Sequence, residues 1–261
     1  MKIENNIYLG DAETVLLENF PNECVDLTVT SPPYSDLRHY RNTINSKNWN
    51  HDKFKKIAEQ LYRVTKNGGV IVWIVNDKTE NGGKTLNSLR QALFFQEIGF
   101  NVNDVMIWEK TNPMPVVKQP RYQDVFEYMF ILSKGKPKTF NPITEPCKCA
   151  GQEYHSTVKN IGGEDGRTYK EFNINKEKVK GNVWKIAVAQ NKTIHPAVYP
   201  IQIAIDQILS WSNEGDLVLD PFMGSGTTAI ACIKNNRKYV GIEINEDYYN
   251  LIKERIEKEK K

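Results

Sequence analysis

Leu217-Val218-Leu219-Asp220-Pro221-Phe222-Met223-Gly224-Ser225-Gly226-Thr227-Thr228 reads as a buried apolar strand, a glycine-rich turn and the first residues of a helix. The glycines permit a tight turn and close approach of a ligand to the backbone. Loop N–H groups and a helix N-terminus favour an anionic group such as a carboxylate or phosphate. The spacing is not Gly-x-Gly-x-x-Gly, because Ala229 stands where the third glycine would be, and no phosphate-loop lysine is present. Residues 239–242 form the next expected strand, ending at Glu243. An acidic residue ~20 positions beyond such a loop is placed to accept ribose hydroxyls, which points to a nucleoside cofactor.

The rest of the chain alternates in the same way. Expected strands lie at 7–9, 25–29, 70–75, 102–108 and 125–132, and expected helices at 12–20, 52–66, 86–98, 199–211, 227–234 and 246 onward. Phe54, Ile57, Ala58, Leu61 and Val64 share one face of the second helix, with Gly68-Gly69 expected to end it. Such alternation predicts an α/β fold, a mostly parallel, doubly wound Rossmann-like sheet. Residues 134–192 break the pattern. They carry 12 Lys and Arg against 6 Asp and Glu, a net +6 that leaves −3 for the remainder. The expected division is therefore a catalytic domain of 1–133 and 193–261 with a small basic insertion of 134–192.

The strand Val25-Asp26-Leu27-Thr28-Val29 runs into Thr30-Ser31-Pro32-Pro33-Tyr34. The prolines lack N–H groups, and the first restricts Ser31 before it, so the strand stops in a stiff loop. That loop presents a hydroxyl, fixed carbonyls and an aromatic ring, a set suited to gripping a flat polar group. Residues 35–50, with Arg38, His39, Tyr40, Arg41 and Trp49, read as a loop flanking it.

Composition narrows the classes. No apolar run approaches the ~20 residues that span a bilayer, and Met1-Lys2-Ile3-Glu4-Asn5-Asn6 lacks a signal-peptide core. Four cysteines in 261 residues do not make a disulfide framework, so a cytoplasmic location is expected. Cys147-x-Cys149 followed by His155 is a poor zinc spacing without an evident fourth ligand, and no metal is expected.

The two motifs together resemble the DNA amino-methyltransferases that use S-adenosyl-L-methionine. The order, acceptor loop first, basic insertion next and cofactor loop last, resembles the circularly permuted β class of that family. The resemblance covers nearly the whole chain apart from the insertion. It implies a catalytic loop of Ser31, Pro32, Pro33 and Tyr34. It implies that Asp220, Pro221, Phe222, Gly224, Ser225, Gly226 and Thr227 wrap the methionine part of the cofactor, with Glu243 on the ribose. Asp11 resembles the family's aspartate near the adenine and serves equally well as a helix cap. His195-Pro196-Ala197-Val198-Tyr199-Pro200 resembles the segment enclosing the methionine end, and His195 reads equally as a structural histidine. Trp108-Glu109-Lys110 with Asn112 and Pro113 matches a strand end bordering the target-base pocket. Ser31 at the first motif position leans toward cytosine N4 over adenine N6. The implied partners are duplex DNA and, in keeping with the family, a cognate restriction endonuclease; a homodimer is compatible, a membrane is not. Lys134, Lys136, Lys138, Lys159, Lys176, Lys178 and Lys180 are expected to meet phosphates, and Arg167 base edges. Cysteine chemistry at cytosine C5 is the rival reading, but Cys147 lies in the insertion and not at a core strand end.

Overall fold

The computed structural model describes residues 3–33, 49–113, 115, 121–151, 153–158, 168–189 and 199–260, with backbone alone for 153–158 and 168–173. Tyr34, Arg38, His39, Tyr40 and Arg41, the His195–Val198 stretch, Lys159 and Arg167 lie outside the described residues.

In chain order the elements are β1 (Asn6–Leu9), α1 (Ala12–Asn19), β2 (Val25–Thr30), α2 (His51–Val64), β3 (Thr65–Val75), β4 (Thr79–Glu80) and β5 (Gly83–Lys84). There follow α3 (Asn87–Glu97), β6 (Asn101–Lys110), β7 (Phe126–Ser133), β8 (Thr144–Pro146), β9 (Glu153–Val158), β10 (Thr168–Asn173), β11 (Glu177–Val179) and β12 (Val183–Ile186). The chain closes with α4 (Ile201–Trp211), β13 (Leu217–Asp220), α5 (Thr227–Lys234), β14 (Lys238–Glu243) and α6 (Glu246–Glu259). Among the described residues the main sheet has eight strands in the order β1-β14-β13-β2-β3-β7-β6-β12. β7 runs antiparallel to β3 and β6, and every other pairing in this sheet is parallel.

The order places first and last strands side by side. β13 and β14 extend the sheet outward from β2 on one side, and β3 extends it on the other, so strand order reverses between β13 and β2. In such sheets ligands bind beyond the carboxyl ends at that reversal. The strand ends collected along that edge are Leu9, Glu243, Asp220, Thr30, Val75 and Lys110, joined by the first residues of the antiparallel β7.

The core follows from the apolar spacing. Phe54, Ile57, Ala58, Leu61 and Val64 of α2 are all buried, as are Val70 to Val75 of β3, which is covered on both faces. α1, α2 and α3 contribute to one continuous apolar cluster, whereas α4, α5 and α6 pack against one another. Phe54 sits at the centre of an aromatic group, 5.3 Å from Phe95, 5.7 Å from Phe94 and 5.9 Å from Trp73 between ring centroids. Arg63 ties α2 to α1 by donating to the main-chain oxygens of Leu16 (2.7 Å) and Phe20 (2.8 Å) at the end of that helix.

Two local expectations change. Gly68-Gly69 does not end α2. The helix stops at Val64, where the Thr65 hydroxyl and N–H both turn back to the Leu61 carbonyl, and β3 starts at once. The glycines instead form an irregularity in β3, where its register against β2 jumps from Thr65 to Val70. Gly68 has φ +80, and a Cβ there would sit 2.9 Å from the Lys138 side chain, so only glycine lets the 134–138 segment cross this close.

The second change concerns the insertion. The chain divides into a larger unit, 1–141 with 182–261, and a smaller one, 142–181. Residues 134–141 thus fall in the larger unit, and residues 183–186 form a strand of its sheet with Trp184 buried. The smaller unit holds two antiparallel pairs, β8 with β11 and β9 with β10. Lys134 is not a free surface cation. Its ammonium donates to the Tyr62 and Thr65 carbonyls at 3.1 Å each, pairs with Glu23 and lies 4.7 Å from the Tyr62 ring centroid. It acts as a cap on the end of α2.

Phe54→Ala should lower the unfolding free energy by about 3–5 kcal/mol in urea titration. Leu93→Ala, on the exposed side of α3, should change it by less than about 0.5 kcal/mol.

Candidate active site

At the strand reversal the main-chain ladder between β2 and β13 is short. It pairs Leu27 with Val218 and Thr28 with Leu219 and then stops. Beyond it, the side chains take over. The Thr30 hydroxyl donates to Asp220 Oδ1 at 2.6 Å. The same oxygen accepts the Phe222 N–H at 3.1 Å, and Asp220 Oδ2 accepts the Thr228 hydroxyl at 2.5 Å. Thr228 has a single hydroxyl hydrogen and gives it to the carboxylate, so the Tyr199 hydroxyl, 2.5 Å away, is the donor to Thr228. Asp220 is 1% exposed. Burial lifts its carboxyl from the usual range to about 6, against the three donors, which favour the charged form.

The loop after Asp220 is pinned on both sides. The Met223 N–H donates to the Ile242 carbonyl at 3.0 Å, and the Gly226 N–H to the Met223 carbonyl at 2.8 Å. Gly224 and Gly226 have φ of 53 and 81. A Cβ on Gly226 would lie 2.9 Å from Ile252 Cγ2, so α5 starts against α6 only because that residue has no side chain. Arg255 of α6 donates to the Ser225 carbonyl, and the Ser225 and Thr227 hydroxyls are 3.2 Å apart. Pro221 is buried, and the Phe222 ring is half-buried with its centroid 5.2 Å from that of Trp49.

Glu243, at the end of β14, accepts the Gly224 N–H at 2.7 Å on one oxygen and the Asn245 N–H at 2.8 Å on the other. Burial lifts its carboxyl to about 7, against those N–H donors and with a smaller upward push from Asp220. Each oxygen keeps lone-pair capacity, so the carboxylate can still accept from hydroxyls. Asp11, beyond β1, caps α1 by accepting the Thr14 N–H at 3.3 Å and pairs with Lys53 at 2.7 Å.

On the acceptor side, Pro32 is buried, and Ser31 and Pro33 are half-buried directly after β2. Trp108 donates from its indole to the Ile186 carbonyl at 2.9 Å, Lys110 pairs with Glu127 at 2.7 Å, and Asn112 accepts the Val188 N–H at 2.6 Å. That strand end is thereby fixed to the edge strand β12. Cys147 follows β8 in the smaller unit and is half-buried, while Cys149 is exposed.

The residues expected from sequence thus lie along one edge of the sheet as far as they are described. Thr30, Thr228 and Lys53 belong to the same assembly without having been assigned a role, and Tyr199 and Trp49 enter it from segments read only as flanking the site. Thr30 and Thr228 stand inside the quoted motifs, but their shared partner is visible only when the two motifs meet in space.

The fold has close counterparts among solved structures. The PvuII DNA methyltransferase, a cytosine-N4-specific enzyme, superposes with TM-score 0.70 at 20% identity over 98% of this chain and 91% of that one. The M1.HpyAVI–SAM complex does so with TM-score 0.62 at 25% identity over 96% and 98%. The architecture is the Rossmann-like methyltransferase fold. A DNA methylase family model, of the N6/N4 type, matches residues 25–254, and the chain belongs to that family, whose cofactor is S-adenosyl-L-methionine. Among its relatives, the orphan methyltransferase M.BamHII of Bacillus amyloliquefaciens is 46% identical over 92% of this chain and 91% of its own length. The type II methyltransferase M.SmaI of Serratia marcescens is 30% identical over 96% and 90%. The protein is a DNA methyltransferase of the amino-methylating kind, and among the described residues no helix is long and apolar enough to cross a membrane.

The raised carboxyls set a pH dependence of stability. The unfolded chain ionises Asp220 and Glu243 near their ordinary values of 3.8 and 4.5, while the folded protein holds those protons to about 6 and about 7. Between these limits the unfolded state binds fewer protons, so the contribution of both groups to stability falls as pH rises. Urea unfolding from pH 5 to pH 8 should show this decline, and Glu243→Gln should flatten its upper part.

Proposed function

We propose that this enzyme transfers a methyl group from S-adenosyl-L-methionine to the exocyclic N4 amine of a cytosine flipped out of duplex DNA. The observation that carries the reading is the junction of the Ser31-Pro32-Pro33 loop with the Asp220-headed glycine loop through the Thr30–Asp220 hydrogen bond of 2.6 Å. The residues fit the cofactor. Glu243 offers a buried carboxylate to the ribose, Gly224 and Gly226 open the loop to the methionine part, and Phe222 and Asp11 border the same edge. When bound, the cofactor supplies an electrophilic methyl on a cationic sulfur.

The chain's own residues must then prepare the acceptor. The amine lone pair is delocalised into the base ring and is a poor nucleophile. Ser31 Oγ and the Pro32 carbonyl accept the amine N–H groups, which favours the tetrahedral nitrogen that attacks. Tyr34 stacks on the flipped base, since a base left in the duplex cannot reach the donor. Transfer is a direct displacement governed by positioning, with no covalent enzyme intermediate: the amine nitrogen forms the N–C bond as the C–S bond breaks, the electron pair leaves with the neutral thioether, and the amine's surplus proton passes to water. Serine in place of an aspartate at position 31 supports cytosine N4 over adenine N6. The neighbouring of β2 and β13, near opposite ends of the chain, supports the circular permutation.

Exposed lysines in each unit offer positive charge to phosphates. Lys136, Lys138 and Lys176 are exposed, and the exposed Lys178–Glu145 pair at 3.0 Å is weak enough to yield to a phosphate. Lys134 is taken out of that set by its capping role.

Incubation with labelled S-adenosyl-L-methionine and duplex DNA, followed by digestion to nucleosides, should yield N4-methylcytosine. N6-methyladenine instead would overturn the choice of base. C5-methylcytosine that disappears in Cys147→Ala would replace the mechanism by cysteine chemistry. Ser31→Ala should lower kcat about 10²–10³-fold. Lys176→Ala with Lys178→Ala should reduce the slope of log affinity against log salt by about 2, whereas Lys134→Ala should leave that slope intact and lower the unfolding midpoint.

A further inference from the structure

We infer that Thr30, Thr228 and Tyr199 form a buried clamp that positions the acceptor loop against the cofactor loop, making Asp220 the joint between methyl donor and target amine. This rests on the function proposed above and assigns the three residues a positioning role.

The geometry is specific. The β2–β13 register covers Leu27 with Val218 and Thr28 with Leu219, while Thr30 is paired on its other side with Trp73 of β3. Thr30 is 0% exposed and gives its hydroxyl hydrogen to Asp220 Oδ1. Ser31 is the next residue, so the strand end from which it leaves carries a side chain anchored on Asp220, in addition to its pairing with β3. The clamp reaches back as well. Thr228, on the first turn of α5, donates to Asp220 Oδ2, and its oxygen lies 3.3 Å from the Val29 carbonyl of β2. Tyr199, just before α4, completes the chain of donors. The four side chains come from different segments of the larger unit, β2, the end of β13, the start of α5 and the residue pair before α4, and converge at this carboxylate.

A merely packed core would not need this chemistry. Threonine and valine have nearly the same shape, and burying a carboxylate in an apolar core is unfavourable unless donors surround it. Here three donors converge on one carboxylate from the acceptor strand, the cofactor loop and the following helix. A carboxylate so held is rigid in both directions. Displacing the cofactor loop moves Thr30, and displacing Thr30 moves Ser31. Thr30 and Thr228 therefore act through Asp220, and Tyr199 acts through Thr228. None of the three needs to touch the substrate.

The test compares wild type with Thr30→Val, Thr30→Ser and Tyr199→Phe. It measures S-adenosyl-L-methionine binding by calorimetry and kcat for DNA methylation at saturating cofactor. Thr30→Val should bind the cofactor within about threefold of wild type and lose about tenfold or more in kcat, as misplacement by a fraction of an ångström does. Thr30→Ser, which restores the hydroxyl, should recover to within about twofold, and Tyr199→Phe should lose about threefold in kcat with binding unchanged. If Thr30→Val does not fold, the Tyr199→Phe split between binding and kcat decides. Wild-type kcat in Thr30→Val, or a folded Thr30→Ser as slow as the valine variant, would overturn the clamp. Absence of methylation by wild type that still binds the cofactor would instead overturn the proposed function.

Discussion

A single carboxylate holds the two halves of the sheet in register where the backbone no longer does. Asp220 lies where strand order reverses, so the crossovers on its two sides run apart and the edge opens into a cleft. An open cleft is what ligands need and what a sheet tends to lose, because the strand ends are free to splay. Continuing the ladder would close the cleft. Hydrogen bonds from Thr30 and Thr228 to the carboxylate keep the lips fixed while leaving it open. Bonds to a charged acceptor are each worth about 1.5–3 kcal/mol, more than a neutral pair at the same place.

The same arrangement explains which parts of the molecule were legible in the sequence. Residues close in the chain that form one element were readable: the apolar face of α2, the buried β3, the strand–turn–helix around Gly224 and Gly226, and Glu243 one strand further on. The Rossmann-like alternation followed from those. Features that depend on distant segments were not readable. Thr30 and Asp220 are separated by 190 positions, and nothing in either motif names the other. Gly68 and Gly69 look like a helix stop, yet the close passage of residues 136–138 requires the first, and the approach of Thr65, Lys66 and the Asp26 carbonyl requires the second. Lys134 looks like one more surface lysine in a basic run, yet the unsatisfied carbonyls at the end of α2 recruit it. Val183-Trp184-Lys185-Ile186 sits in a stretch with no clear period, and its place beside β6 is set by pairing with a strand 76 residues earlier, Val183 opposite Ile107.

The two buried acids show how stability and binding are traded at this edge. Asp220 and Glu243 sit in one loop system, and each is harder to ionise than in water, by about 2 units, or about 3 kcal/mol, for each. Apolar residues of similar shape would avoid that penalty, so packing alone does not account for their presence. Glu243 is held by main-chain N–H groups, those of Gly224 and Asn245 on opposite oxygens among them. In the function proposed above, a nucleoside would bring ribose hydroxyl hydrogens to Glu243, and a sulfonium would bring positive charge beside the two acids. On that proposed function, a ligand carrying both would offset part of the burial penalty of the two acids, and free energy withheld from folding would reappear as affinity for it. The glycines beside the acids serve the same end, since a Cβ at Gly226 would push α6 away and widen the loop. On the proposed function, what looks like a weak point in the fold is the part of it that receives the methyl donor.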